Sequence, residues 1–389
     1  MAVPAAAHVD FAPPAIGAEE IAAVEAVLRS GWLSTGPRVK AFEEAFAAYT
    51  GSTHAVAVNS CTAALHLALL VAGIEPGDEV VTTPLTFCAT ANTIVHVGAV
   101  PRFADIDPIT WNLDPAAAHA AVTSRTRACL PVHYAGRPVD VSAFRALAAR
   151  HDLRLIEDAA HCVEGEVAGA KIGRTADLTC FSFYATKNLT TGEGGMLTTE
   201  SSSWAQQARR AALHGMDRDA WRRYAHGGSA LYDIVTPGFK YNMPDLLAAI
   251  GLQQLVRLEA HWRRREAIWA RYDEAFADLP ITRPAPAGEG VRHARHLYTI
   301  LVNPDSGWTR DELADALRRS GIVTSIHFRA VHLFTYYAER FGFRRGMCPA
   351  AERVADTTLS LPLSAALRDE EIDAVIAAVR RHLLRTRQR

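Results

Sequence analysis

FSFYATKNLTTGEGG (181–195) decides how this chain is read. An apolar run ends at Ser182, a single lysine follows at Lys187, and glycines close the stretch at Gly192, Gly194 and Gly195. No acidic residue lies within five positions of Lys187 on either side. Burying an unpartnered ammonium is costly, so a lysine at the end of a central strand either serves chemistry or sits in a surface loop. Desolvation lowers a lysine's pKa and exposes its neutral, nucleophilic form, which suits an imine with a carbonyl compound. From this stretch alone the reactive lysine and the surface lysine are equal readings.

Around it, short β-rich runs recur: AVAVNS (55–60), EVVTTPLTF (79–87), VPRFADID (100–107), ACLPVHYAG (128–136), RLIEDAA (154–160), LTCFSFYA (178–185) and GGMLTTE (194–200). Helical spacing lies between several of them, in TAALHLALLVAG (62–73) and VSAFRALAARHD (141–152). Near-continuous apolar strands alternating with helices predict a mostly parallel seven-stranded sheet covered on both faces. The stretch 201–238 is polar and reads as surface loop. Residues 244–279 then read as one long helix starting near Asn242, Met243, Pro244 and Asp245. Its WRRRE stretch (262–266) reads as a solvated face. HLYTILV (296–302) and VTSIHF (323–328) read as strands of a smaller α+β unit. TRDELADALRRSG (309–321) reads as a helix with an N-cap Thr and a terminal Gly. The last helix ends in basic residues, as the helix dipole favours, with its final residues frayed.

With 389 residues the chain exceeds one simple core, and the pattern predicts a large domain over 1–250 and a smaller one over 251–389. A net charge of −1 gives no global field toward nucleic acid or acidic membrane. The start shows no basic segment followed by an apolar one, and no apolar run reaches the roughly 20 residues that span a bilayer. Six cysteines without a Cys-x-x-Cys pair read as reduced thiols in a cytoplasmic protein, and no metal site is expected.

Three further stretches carry chemistry. In RLIEDAAHC (154–162), Asp158 ends a buried-type strand, one strand–loop–strand excursion before Lys187. Pyridoxal 5′-phosphate (PLP) needs such a carboxylate, because an aspartate against the pyridine nitrogen keeps the ring an electron sink. Glu157 faces the other way in an alternating strand. Ala160 is small enough for a flat ring to lie against it, and His161 is either a donor to the ring's 3-oxygen or a structural histidine. In VNSCTAALHLAL (58–69) a helix starts at a Ser-Cys-Thr turn. Its N-terminal amides and the Thr62 hydroxyl suit a phosphate, though Ser and Thr at helix starts are common for stability alone. In TTPLTFCATANTI (82–94), Phe87 is either a ring-stacking aromatic or core.

Their order joins them: helix-start phosphate site, aromatic, strand-end Asp, then Ser-x-x-x-x-Lys. With GWLSTGP (31–37), VPRFADIDP, VHYAG, IEDAAH, GFKYNMPDLLAAIGLQQL and LSLPL (359–363), the chain resembles the DegT/StrS-type nucleotide-sugar aminotransferases over nearly its whole length. The resemblance implies a fold-type I PLP enzyme, with Lys187 in imine linkage to the cofactor and Asp158 on the pyridinium nitrogen. It implies His161 at the ring oxygen, Phe87 and Ala160 on the two ring faces, and Thr62, Ala63 and Ser182 on the phosphate. Asn242 would reach the phosphate of a neighbouring subunit's PLP, making the active unit a homodimer, with Lys240 near that site. Trp32, Leu33 and Thr35 would lie near the sugar nucleotide, and His327 and His332 on the substrate side. Two positions depart from the family: Cys61 replaces a usual Gly, which argues against a positive-φ turn there, and Tyr184 stands where relatives often carry His, facing the substrate. Likeness to the C4 enzymes implies amino transfer from L-glutamate to a UDP-linked 4-keto sugar. Amination at C3 of a dTDP-linked 3-keto sugar and a non-catalytic regulatory protein of the same fold are the alternatives.

Overall fold

The computed structural model describes residues 8–216 and 232–384. The first residues of the chain, part of the polar stretch 201–238 and the basic tail therefore lie outside the described residues. The strands, in chain order, are β1 (His54–Val58), β2 (Glu79–Thr82), β3 (Val100–Phe103), β4 (Thr126–Leu130), β5 (Arg154–Asp158), β6 (Glu166–Val167), β7 (Ala170–Lys171), β8 (Leu178–Ser182), β9 (Gly195–Thr199), β10 (Ile281–Thr282), β11 (Val291–Arg292), β12 (Tyr298–Val302) and β13 (Thr358–Leu361). Seven form one sheet in the order β1-β9-β8-β5-β4-β2-β3, in which β9 alone runs against the rest. All seven are the runs anticipated from sequence. Six of them are fully or mostly buried, which is why they read as apolar runs, while the edge strand β3 is mostly half-buried.

The helix Cys61–Val71 packs one face of this sheet and Val141–His151 the other. The long helix Asp245–Ala275 runs from the main core at Leu258 to a second core at Ile268, Trp269 and Tyr272, beneath the sheet β10-β12-β13. Pro244 is its N-cap. Asp245 instead caps a neighbour: its carboxylate accepts from Arg38 N–H at 3.1 Å and Val39 N–H at 2.9 Å, in the first turn of helix Pro37–Thr50. Among the described residues no helix is long and apolar enough to cross a membrane.

Three expectations are corrected. The polar stretch begins as a helix, Ser202–Ala212, capped by Ser201, because its alanines Ala205, Ala208 and Ala212 recur at helical spacing and are buried against the sheet. Residues 323–328 form only a bridge, Ser325 to Ser360; the strands paired with β12 are β10 and β13, and β13 overlaps LSLPL. The WRRRE stretch is not simply a solvated face. Arg265 is 3% exposed and forms an ion pair with the fully buried Glu164. Replacing one member of such a pair strands the other's charge. Arg265→Ala is therefore expected to cost about 3–5 kcal/mol in a urea unfolding titration, whereas Arg263→Ala, on the exposed face, is expected to leave the midpoint within error.

Candidate active site

Ligands of open α/β sheets bind at the carboxyl ends of the parallel strands, and these elements converge there. Asp158 ends β5 opposite Cys180 of β8, while Ser182, Gly195 and Val58 stand in register across β8, β9 and β1. Two residues after β1, Ser60 caps the helix Cys61–Val71, its Oγ accepting from Ala63 N–H at 3.1 Å. The helix's opening amides have no carbonyl one turn back to satisfy them, so they face the same edge as Lys187 with a partial positive charge. Cys61 is helical, as its side chain requires. Thr62 is exposed at the lip, and Ala63 is buried with its amide already engaged by Ser60.

Gly195 lets these parts close. A Cβ there would stand 2.5 Å from Ser60 C and 2.6 Å from both Cys61 N and Ser60 O, all backbone atoms. Gly195→Ala is accordingly expected to lose about 1–3 kcal/mol by overpacking and to weaken anion binding at the helix start, read by thermal melting and a cofactor titration.

Lys187 is half-buried in the turn after β8, its N–H bonded to Tyr184 O at 2.9 Å. The surrounding protein pulls its ammonium down to about 8, with Cys61 and Asp158 partly opposing. Asp158 is 4% exposed and accepts from Thr90 Oγ1 at 2.8 Å and Ala160 N–H at 3.1 Å. Burial raises its carboxyl above the usual range, against the pull of these bonds and of Lys187. Glu157 does face away: it accepts from Thr175 and Thr179 on the far side.

His161 lies in this chamber with a buried Nδ1 that has no partner among the described residues. Its ring is 4.4 Å from that of His296 and stacks on Phe328 at 5.8 Å. His327 joins them, its Nδ1 2.9 Å from Ser360 Oγ; burial and the Lys187 charge hold it down to about 3. Phe87 is 61% exposed above the edge, 6.2 Å from Phe328, and Ala160 is half-buried below. Tyr184 stands half-exposed beside Lys187.

Trp32, Leu33, Thr35, Lys240 and Asn242 line a groove of about 1150 Å³ beside β1, whose lining does not include Lys187. There Asn242 Nδ2 donates to Thr35 Oγ1 at 2.7 Å, Thr35 Oγ1 donates to Met243 O at 2.6 Å, and Asn242 Oδ1 is buried without a partner among the described residues. His332 is a correction. Its ring is fully buried with Nε2 3.0 Å from Glu352 Oε1, so it is a core histidine and offers nothing to a substrate. Sequence reasoning passed over Ser60, Thr90 and His296. A Ser immediately before the helix and a Thr on the helix after Phe87 were available signals for the first two; nothing local marked the third. Among the described residues no group of three or more His, Cys, Asp or Glu is placed to hold a metal ion.

The model of the DegT/DnrJ/EryC1/StrS aminotransferase family matches residues 14–380. Over 373 residues the chain is 51% identical to the spore coat polysaccharide biosynthesis protein SpsC of Bacillus subtilis (strain 168), covering 95% of this chain and 96% of that one. The PMP form of Spr1654 from Streptococcus pneumoniae superposes with a TM-score of 0.90 at 34% identity, covering 97% of this chain and 99% of that one. Helicobacter pylori PseC, an aminotransferase involved in the biosynthesis of pseudoaminic acid, superposes with a TM-score of 0.90 at 28% identity, covering 98% and 100%.

Proposed function

This chain belongs to the DegT/DnrJ/EryC1/StrS aminotransferase family and is a sugar aminotransferase; we propose that it uses PLP held on Lys187 to move the amino group of L-glutamate onto C4 of a UDP-linked 4-keto sugar. The observation that carries the reading is the pairing, at one sheet edge, of a lysine drawn down to about 8 with a buried aspartate, beside a His161 Nδ1 that lacks a partner among the described residues.

The residues fit the cofactor. A cationic ring nitrogen against Asp158 would offset the burial that raises its carboxyl. His161 Nδ1 would meet the ring oxygen, Phe87 and Ala160 the two faces, and Thr62, Ala63 and Ser182 the phosphate over the helix start. When bound, PLP supplies an electron sink for the carbanion formed at an amino acid's α-carbon. Lys187 Nζ would take the α-proton of L-glutamate as a base and give it, as an acid, to the cofactor carbon that bears the nitrogen; in the second half-reaction it would move a proton from that carbon to C4 of the sugar. Water would supply the keto oxygen of 2-oxoglutarate, and the sugar's carbonyl oxygen would leave as water as its carbon receives the nitrogen.

C4 and UDP rest on the likeness of TTPLTFCATAN and ATKN to the C4 enzymes, and Tyr184, in place of His, tunes the acceptor. The similarity to a spore coat polysaccharide protein supports a surface-glycan product. That Asn242 and Lys240 line this groove, with Asn242 Oδ1 unpartnered among the described residues, supports a homodimer in which this groove completes a partner's site. The enzyme is placed in the cytoplasm, where its sugar nucleotide and glutamate are made available.

Purified protein with PLP is expected to show the visible absorbance of lysine-bound cofactor. L-Glutamate should convert that band to a shorter wavelength, and UDP-4-keto sugars, rather than dTDP-3-keto sugars, should restore it. A band untouched by any amino acid would sink the transfer reaction. Capture of PLP by apoenzyme needs the neutral amine, so its rate should rise with pH through a midpoint of about 8. At pH 7 about one Lys187 in ten is then neutral, against roughly one in a few thousand for an ordinary lysine. Stopped-flow capture rates between pH 6 and 10 read this directly.

A further inference from the structure

The segment after β11 brings a third histidine, His296, to the chamber, and a clamp holds it. His296 Nδ1 lies 3.0 Å from Asn188 Oδ1. Asn188 gives its amide hydrogens to Glu164 Oε2 and Ala294 O, both at 2.8 Å. Turned the other way, the amide oxygen would face a carboxylate and a carbonyl, so chemistry fixes its orientation. Asn188 Oδ1 is therefore an acceptor, and His296 carries its hydrogen on Nδ1. Glu164 is held in turn by Arg265, and both are buried.

The backbone is stapled at the same place. Ala294 N–H donates to Gly136 O at 2.7 Å, and Leu297 N–H to Ala135 O at 3.2 Å. Gly136 has φ +96°, and a Cβ there would lie 2.9 Å from His161 O and 3.0 Å from His296 N. Only glycine lets the His161 loop and the His296 segment approach this closely.

Two consequences meet at Lys187. Asn188 is its immediate neighbour in the chain, so clamping that side chain fixes the backbone from which the lysine projects. With Nδ1 committed, His296 keeps Nε2 as its proton acceptor and stays neutral beside His161. We propose that Glu164, Asn188 and His296 form a positioning relay that orients Lys187 and gives its amine an uncharged wall. The inference rests on the reading of Lys187 as the cofactor-bearing residue. Burial and the lysine's own charge hold His161 and His296 well below the ordinary histidine range, in keeping with that wall. The ionisable groups coupled to Lys187 are Cys61, Asp158, His161, His296 and His327, and Asp158 is the carboxylate among them.

The test uses full-length enzyme, PLP-loaded for turnover and as apoenzyme for PLP capture, and three variants: Asn188→Ala, His296→Phe and His296→Asn. An asparagine amide N–H can take the place of Nδ1–H and keep the bond to Asn188; phenylalanine cannot. A small misplacement of a reacting group costs up to about 10²-fold. Asn188→Ala and His296→Phe are expected to lower kcat about 10- to 100-fold, with the KM for L-glutamate within about twofold. The pH midpoint of PLP capture should rise by about one unit as Lys187 gains solvent. His296→Asn should recover most of the loss. Equal behaviour of the Asn and Phe variants overturns the relay, as does a capture midpoint unmoved in Asn188→Ala and His296→Phe. If Asn188→Ala fails to fold, the His296 pair still decides. A wild type with no lysine-bound absorbance would instead overturn the reading of Lys187 on which the relay depends.

Discussion

Lys187→Ala is expected to lose at least about 10⁴-fold in turnover, because it removes both the anchor of the cofactor and the group that carries the proton. The variant should still fold, since the lysine is only half-buried and its loss relieves burial of a charge. Its purified form should lack the visible band of lysine-bound cofactor. A second readout does not depend on turnover. Burial depresses His161, His296 and His327 most and the Lys187 charge adds to it, so in the alanine variant all three imidazoles should move part of the way toward the ordinary histidine range. Histidine ring NMR signals followed from pH 4 to 8 in apoprotein would show this. A variant that retained the band and turned over would displace Lys187 from its role.

The second large effect is at Asp158. Asp158→Asn keeps the shape and an acceptor for Thr90 or Ala160, but removes the charge that holds a ring nitrogen protonated. Turnover is expected to fall by about 10³-fold, which corresponds to about 4 kcal/mol at the transition state. Lysine-bound absorbance should survive while L-glutamate no longer converts it, separating this loss from that of Lys187. The folded protein should lose less stability as pH rises above the ordinary aspartate range. Burial raises the Asp158 carboxyl, so in the wild type its ionisation costs stability as pH rises through its folded value, and asparagine has no such cost. A variant converted by glutamate at the wild-type rate would remove Asp158 from the mechanism.

The main sheet was legible because strands buried on both faces leave nothing but apolar runs, and each run was found. That β9 opposes its neighbours was not, since direction depends on which strand is adjacent and not on composition. Residues 323–328 and 358–361 are comparable apolar runs. Only pairing with β12 makes the second a strand. The same limit governs the site. Lys187 and Asp158 stand out locally, one as an isolated cation and the other as a carboxylate at the end of a buried run. Asn188 and His296 are 108 positions apart, and Asn188 reaches Glu164 across 24, so none of these three signals its role in its own neighbourhood. His332 misled because a spacing of five from His327 does not reveal that the turn Val331–Leu333 sends its ring inward to Glu352.

The staple between Gly136 and Ala294 also has a meaning for the chain as it leaves the ribosome. Lys187 is synthesised well before Ala294, His296 and His327 exist to close over it; His327 follows it by 140 residues. At roughly 5–20 residues per second that interval lasts about 7–28 s. Until then His296, His327 and the staple cannot add to the burial that draws the lysine's ammonium down. The residues that cover the lysine thus come late in the chain, and the share of its burial that they supply is completed only once they are made.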